Sequence, residues 1–451
     1  MIAFKTGSLL IPGSDELKDV DERLRLPNPA HSQAKEMRKR GKRVAMPPEY
    51  VYGCRWMEGF LAVPRMVNGD LSDVVGVKTE VRTLDRTSYP SREPVFNVIG
   101  IEPREYQAEA VEAFLSAGSG VIEAPCGSGK TAIGIKAIAR LQTPALVLVH
   151  TIDLLEQWKG RLKACISPEP EIGDDVVVET VQTLVRRPWR DRAKWGKRFG
   201  LVIMDEAHHV PAETFSDVVS SMPARYRLAL TATPERADGL TELLHWHFGP
   251  TVYRVDRDQL RDAGQILTPA VRMVQTGFKV DFARTEWTRM LTDMSRDNDR
   301  NDILLGTIRE LVEGGHKVLL ITERVNHARE LAEALSGDSL RAEALTGSMS
   351  KKMREVVIQD AIAGAVDVLC ATKLADEGLD MPCLSAVVLA MPISKALGKV
   401  EQRVGRIMRP YEGKPSPVVV DLVDDAKPLQ GLAWRRIKNV YRKLGCSVEG
   451  M

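Results

Sequence analysis

The sequence has few cysteines, almost no net charge and no long apolar run. Its six cysteines, Cys54, Cys126, Cys165, Cys370, Cys383 and Cys446, contain no Cys-x-x-Cys pair and no histidine at ligand spacing, which excludes a zinc finger or ribbon. Such scatter is no disulfide framework either. No segment approaches the ~20 apolar residues that span a bilayer. The apolar stretch within Met1 to Pro12 is too short for a signal peptide, so a cytoplasmic protein is expected. No short repeat and no low-complexity tract occurs. The formal net charge of +2 attracts no polyanion by itself, so a nucleic-acid surface has to come from local clusters.

What is present is a globular profile: 44% hydrophobic and 27% charged residues over 451 positions, enough for two or three domains. The strongest local signal is Ala124 to Thr131, Ala-Pro-Cys-Gly-Ser-Gly-Lys-Thr, where an apolar run ends and an amphipathic helix pattern begins. Pro125, Cys126, Gly127, Ser128 and Gly129 are small or turn-forming, so backbone can close on a polyphosphate in front of a helix N-terminus. Lys130 would reach the β- and γ-phosphates of ATP and Thr131 would hold Mg²⁺. The strict pattern has glycine at its first position, where this chain has Ala124.

Before that loop, residues 1–98 show an irregular pattern with several prolines and no long periodic helix. Lys35, Arg38, Lys39, Arg40, Lys42 and Arg43 face the single acid Glu36, and Tyr50, Tyr52, Trp56 and Phe60 follow. That combination suits a nucleic-acid backbone with base stacking, and equally a solvated helix face. Asp70, Glu80 and Arg82 are a faint echo of nuclease carboxylates, too loosely spaced to support that chemistry. Tyr89 to Pro94 reads as a linker.

From Ile99 to about Val255, buried runs alternate with helical patterns, as in a parallel sheet covered on both faces. The runs are Gly120 to Ile122, Ala145 to Val149, Val176 to Val178, Leu201 to Met204 and Leu228 to Leu230. Strand-end residues should gather on one edge, where α/β ligands bind. Asp205 and Glu206 end the fourth run: Asp205 can hold the Mg²⁺ and Glu206 can orient the attacking water. Upstream, Arg186, Arg187, Arg190, Arg192, Lys194, Lys197 and Arg198 surround Trp189 and Trp195, a second nucleic-acid candidate or a solvated helix held by two tryptophans.

A second sheet pattern runs from Pro269 to about Val423, with strands expected at Val318 to Ile321, Val366 to Leu369, Ala386 to Leu389 and Val418 to Val420 and a helix from His327 to Leu335. It has no phosphate loop. On a helix, Gln402, Arg406 and Arg409 would share one face, two guanidinium groups suited to a phosphoryl group in transition. Leu432 to Leu444 reads as a docking helix.

Together these segments resemble a superfamily 2 helicase or translocase over roughly Arg104 to Pro410. The resemblance implies an α/β fold of two tandem RecA-like parallel-sheet domains, at 99–255 and 269–425, joined by a linker at 256–268. A small N-terminal accessory domain at 1–98, a candidate DNA-binding element, and a C-terminal helix at 426–451 complete it. It also implies adenine contacts at Arg104 and Gln107, and motif I at Ala124 to Thr131. Nucleic-acid contacts follow at Thr151, Gln182, Thr183, Thr346, Gly347 and Thr372. The DEAH motif lies at Asp205 to His208, coupling residues are His208, Thr231 and Thr233, a nucleotide contact is Asp380, and Arg406 and Arg409 meet the γ-phosphate. The run from Asp205 to Ala212 most resembles the XPB and phage UvsW branch of repair and recombination helicases, which implies DNA as partner and a bacterial or phage-infected cell as setting. In that branch an Arg-Glu-Asp element can follow motif III; Glu235 to Asp238 lacks it as such, which leaves strand separation open. The rival readings are a duplex translocase without unwinding, an RNA helicase and an ATP-gated binding switch.

Overall fold

The computed structural model describes residues 2–450 except 18, 40, 42, 58, 68–70, 77–80, 91–95, 103, 126, 168–173, 208–211, 233–238, 281–285, 338–339, 373–380 and 394–396. The chain divides into two compact units, Met1–Pro125 with Gly129–Asp256, and Cys126–Ser128 with Arg257–Met451.

The first unit holds a six-stranded parallel sheet in the spatial order Val176–Thr180, Ala145–Val149, Leu201–Asp205, Tyr226–Thr231, Ser119–Glu123 and Thr251–Arg254. Its inner strands are unbroken apolar runs because helices cover both faces, so every side chain of Ala145–Val149 and Leu201–Asp205 is buried. All five expected runs are strands, each with its apolar core inside the observed bounds. The sixth, Thr251–Arg254, lies at the sheet edge and is only half-buried, so it carries no apolar run to read.

The N-terminal residues, expected to be irregular, form a five-stranded sheet ordered Arg55–Met57, Phe60–Val63, Leu9–Pro12, Ile2–Lys5 and Arg82–Asp85, plus a helix at Pro29–Lys39. Strands of three or four residues are too short to impose a legible period. Ala3, Ile11, Leu61 and Val63 pack in one core with Leu240, Leu243 and Trp246. The helix Thr241–Phe248 of the parallel-sheet layer thus serves both sheets. Arg227 fastens them further: its guanidinium donates to the carbonyls of Gly7, Val219 and Met222 at 2.5, 3.0 and 2.7 Å and to that of His247 at 3.1 Å.

The second unit holds a seven-stranded parallel sheet ordered Ala342–Leu345, Val368–Ala371, Val318–Ile321, Ala386–Leu389, Val418–Val423, Ala270–Gln275 and Ser447–Glu449. The tail is more than the expected helix. Lys427–Arg436 is α-helical, and the next turn widens, with the N–H of Arg442 bonded to Ile437 O at 3.0 Å and that of Cys446 to Tyr441 O at 2.9 Å. The tail then adds Ser447–Glu449 as an edge strand. Asp421 anchors this tail, accepting from Arg436 Nε at 2.7 Å and Tyr441 Oη at 2.7 Å. Among the described residues no helix is long and apolar enough to cross a membrane.

Candidate nucleotide and nucleic-acid sites

The carboxyl ends of the first sheet's central strands converge on the phosphate loop. Lys130 opens the helix Lys130–Leu141, and its ammonium lies 3.2 Å from Glu206 Oε1 and 3.3 Å from the carbonyl of Ala124. Asp205 ends its strand fully inside the protein. Its Oδ2 accepts the indole N–H of Trp158 at 2.8 Å, and its Oδ1 accepts the N–H of Glu206 at 2.9 Å. Burial, then the neighbouring Glu206 charge, push the Asp205 carboxyl up to about 6, against the pull of Lys130 and of the two hydrogen bonds. Glu206 itself sits at φ +49, a strained conformation for a non-glycine residue that turns the chain sharply off the strand end.

The loop fits a polyphosphate. Gly127 and Gly129 have φ of +85 and +81, and a Cβ on Gly129 would stand 2.7 Å from Gln107 Nε2. These backbones can therefore approach an anion closely only as glycine. Ser128 is buried and Thr131 is half-buried in the first helical turn. One carboxylate, Asp205, with one hydroxyl, Thr131, is the sparse donor set that suits Mg²⁺, which takes its remaining ligands from phosphate and water.

Gln107 is buried beside this loop. Its Oε1 accepts the N–H of Arg104 at 3.1 Å, closing the first turn of the helix Glu105–Ala117. Thr231 ends the neighbouring strand, and its carbonyl accepts the N–H of Ala124 at 2.9 Å. The expected coupling residue is thereby bonded through backbone to the first residue of the phosphate loop. Trp158 was not singled out from sequence. Its spacing with Leu155 and Leu162 marks only a buried helix face, and nothing in that pattern says that the indole N–H reaches Asp205.

Thr151, Gln182 and Thr183 lie together beyond two adjacent strand ends. Thr151 caps the helix Ile152–Cys165, its Oγ1 accepting from Leu154 N at 3.3 Å, and exposed Gln182 donates to His150 O at 3.2 Å. The Thr183 hydroxyl is bonded to that of Thr180 at 2.8 Å. In the second unit Thr346 and Thr372 follow neighbouring strands, the N–H of Thr372 bonding to Leu345 O at 3.3 Å, with Gly347 exposed beside them.

The arginine segment departs from expectation. The helix Leu397–Gly405 ends before Arg406, so Gln402, Arg406 and Arg409 do not share a helical face. The chain beyond is bonded three residues apart, Arg406 N to Arg403 O at 3.4 Å, Ile407 N to Val404 O at 3.1 Å and Met408 N to Gly405 O at 3.4 Å. This tightened turn runs to Met408, and Arg409 follows it directly. Arg403 is buried, with Nη2 3.8 Å from Glu323 Oε1.

The basic clusters divide. Lys35, Arg38, Lys39 and Arg43 are exposed at and beyond the end of the helix Pro29–Lys39. In the second cluster Arg186, Arg187 and Arg190 are exposed, but Arg192 is buried, with Nη2 2.6 Å from Asp217 Oδ2, and so is removed from any ligand surface. Trp195 stacks edge-on against Phe199 as a core anchor. Arg40, Lys42, Asp70, Glu80, Cys126, His208, Thr233 and Asp380 lie outside the described residues.

Two parallel sheets, the first with a glycine-rich loop, Lys130 and buried Asp205 gathered beyond its strand ends, are the RecA-like architecture of an ATPase. The family models agree: residues 100–236 match the type III restriction enzyme res subunit and residues 300–411 the helicase conserved C-terminal domain. The chain is 29% identical to the DNA 3'-5' translocase XPB2 of Sulfurisphaera tokodaii over 68% of this chain and 79% of that one. It is 30% identical to the DNA 3'-5' helicase XPB of Mycobacterium tuberculosis, covering 69% of this chain and 58% of that one. The yeast Dbp5 structure, bound to RNA and ADP BeF3, shares the fold at a TM-score of 0.54 and 16% identity, covering 77% of this chain and 90% of that one. The chain belongs to the superfamily 2 helicases, in the XPB-like branch, a group of ATP-hydrolysing enzymes.

Proposed function

We propose that this protein is an ATP-driven motor that steps along duplex or branched DNA without regard to sequence. The observation that carries the reading is the grouping of Lys130, Asp205 and Glu206 within one buried site, the lysine 3.2 Å from Glu206 and the aspartate oriented by Trp158. Bound Mg²⁺-ATP supplies the scissile phosphoanhydride and a cation that neutralises phosphate charge. Lys130 holds the β- and γ-phosphates, Thr131 and Asp205 hold the metal, and Glu206 orients the attacking water. Arg406 and Arg409 neutralise charge on the γ-phosphoryl group as it leaves. Thr151, Gln182, Thr183, Thr346, Gly347 and Thr372 grip the DNA backbone, and basic residues such as Lys39 and Arg43 neutralise its phosphates, so binding weakens as salt rises. DNA as the track is supported by the names of the two XPB relatives.

A second reading is translocation on duplex without unwinding, favoured by the absence of an Arg-Glu-Asp element at Glu235 to Asp238. Release of a third strand from a DNA triplex without release of either duplex strand supports it. Separation of a forked duplex overturns it in favour of a helicase.

A further inference from the structure

The arginine turn is held from outside by a side chain that none of the motifs includes. After Arg409 the chain runs Pro-Tyr-Glu-Gly-Lys-Pro, and the N–H of Lys414 bonds to Tyr411 O at 3.2 Å across Gly413 at φ +71. This reversal needs a residue tolerant of left-handed backbone at Gly413, and it carries the Lys414 side chain back beneath the turn. There its ammonium donates to Arg409 O at 2.7 Å and to Pro382 O at 3.1 Å. The turn's last carbonyl, Met408 O, accepts the N–H of Leu267 at 2.6 Å, and Lys414 takes the next one, Arg409 O, as a lysine past a helix end can. Pro382 follows the segment ending at Asp380 that the family resemblance assigns to nucleotide contact. Lys414 therefore joins the ends of two functional segments of the second unit by one half-buried cation bonded to two carbonyls.

We infer that Lys414 is a positioning residue that fixes the backbone of Arg409, and with it the aim of the Arg406–Arg409 pair, through its bonds to the carbonyls of Arg409 and Pro382. The inference rests on the reading of these arginines as γ-phosphate ligands. A displacement of about 1 Å in such a group is enough to slow phosphoryl transfer severely while leaving substrate binding nearly intact. The contact is strongest with the protonated amine, whose charge reinforces both hydrogen bonds. Burial, and secondarily the Arg409 charge, bring the Lys414 ammonium down to about 8, with the facing Cys383 opposing that shift. Burial raises the Cys383 thiol, against the pull of Lys317 and Lys414.

The test is steady-state ATPase of the full chain with duplex DNA for wild type, Lys414→Met and Lys414→Arg, with thermal midpoints taken alongside. Lys414→Met is expected to lower kcat about tenfold with KM for ATP changed less than about twofold and the thermal midpoint held, and Lys414→Arg to recover most of the rate. In wild type, kcat should fall as pH rises through about 8, and Lys414→Arg should move that fall upward, a readout that loss of folding would not give. Wild-type kcat in Lys414→Met, or an alkaline fall unchanged in Lys414→Arg, overturns the inference alone. Wild-type rates in both Lys130→Ala and Arg409→Lys overturn the reading of the nucleotide site and this inference with it.

Discussion

In the proposed motor Asp205 has to do two things that conflict, staying inside the sheet and carrying charge. Its carboxyl, pushed up to about 6 by burial and by Glu206, is kept ionised near neutrality partly by the 2.8 Å bond from Trp158. Trp158→Phe removes that donor, so the carboxyl should rise further. The acid limb of the ATPase pH profile should shift upward, and the Mg²⁺ concentration for half-maximal rate should rise about tenfold, the worth of a hydrogen bond to a charged group. An unchanged acid limb contradicts this. The same carboxyl affects stability in the opposite sense. Its folded value lies above the ordinary 3.8, so it favours the fold only while protonated, and that contribution is lost as pH rises through about 6. Asp205→Asn should therefore stabilise the nucleotide-free protein at pH 7 by about 2 kcal/mol and give no gain below about pH 4, measured by urea unfolding at both pH values. The carboxylate itself was legible because an acid stood at the end of an apolar run downstream of a phosphate loop. Its tryptophan partner was not, since the contact joins residues 47 apart in sequence.

At the level of elements, the strand runs were readable because buried parallel strands are unbroken apolar segments. Short edge strands such as Thr251–Arg254 and Ser447–Glu449 lack that signature, since one side meets solvent. The arginine segment was read as continuous helix because its spacing allowed one. Gly405, a poor helix former, and Pro410 beyond it are the signals that the helix stops, though neither shows how the chain then tightens. Packing also overrides local preference in the helix after the phosphate loop. Gly134 is buried there, and an added Cβ would stand 2.6 Å from Trp158 Cη2 and 3.3 Å from Leu230 Cδ1. Alanine is the better helix former by about 1 kcal/mol, but overpacking of about 1–3 kcal/mol exceeds that gain. Gly134→Ala should lower the thermal midpoint and, by moving the indole off Asp205, the ATPase rate as well. A raised midpoint would show that the helix has room to spare.

At the scale of the whole molecule, the N-terminal sheet shares its core with the helix Thr241–Phe248 and receives Arg227 into its first loop. It should accordingly unfold with the first parallel sheet in one transition. Arg227→Met removes a donor from four carbonyls, of which Val219's keeps the N–H of Met222, so it should destabilise that unit by about 3 kcal/mol. A separate early transition of the N-terminal residues in calorimetry of the wild type would contradict this account. Lys35, Arg38, Lys39 and Arg43, all exposed, are then carried by a body joined to the first parallel sheet, as a DNA-sensing element would need to be. The most direct test of the central claim is steady-state ATPase with no nucleic acid, single-stranded DNA, duplex DNA, a branched junction and RNA, with Lys130→Ala as the blank. Stimulation by duplex or branched DNA that falls with salt is the predicted result. Stimulation by RNA alone, or by none of them, would contradict a DNA motor.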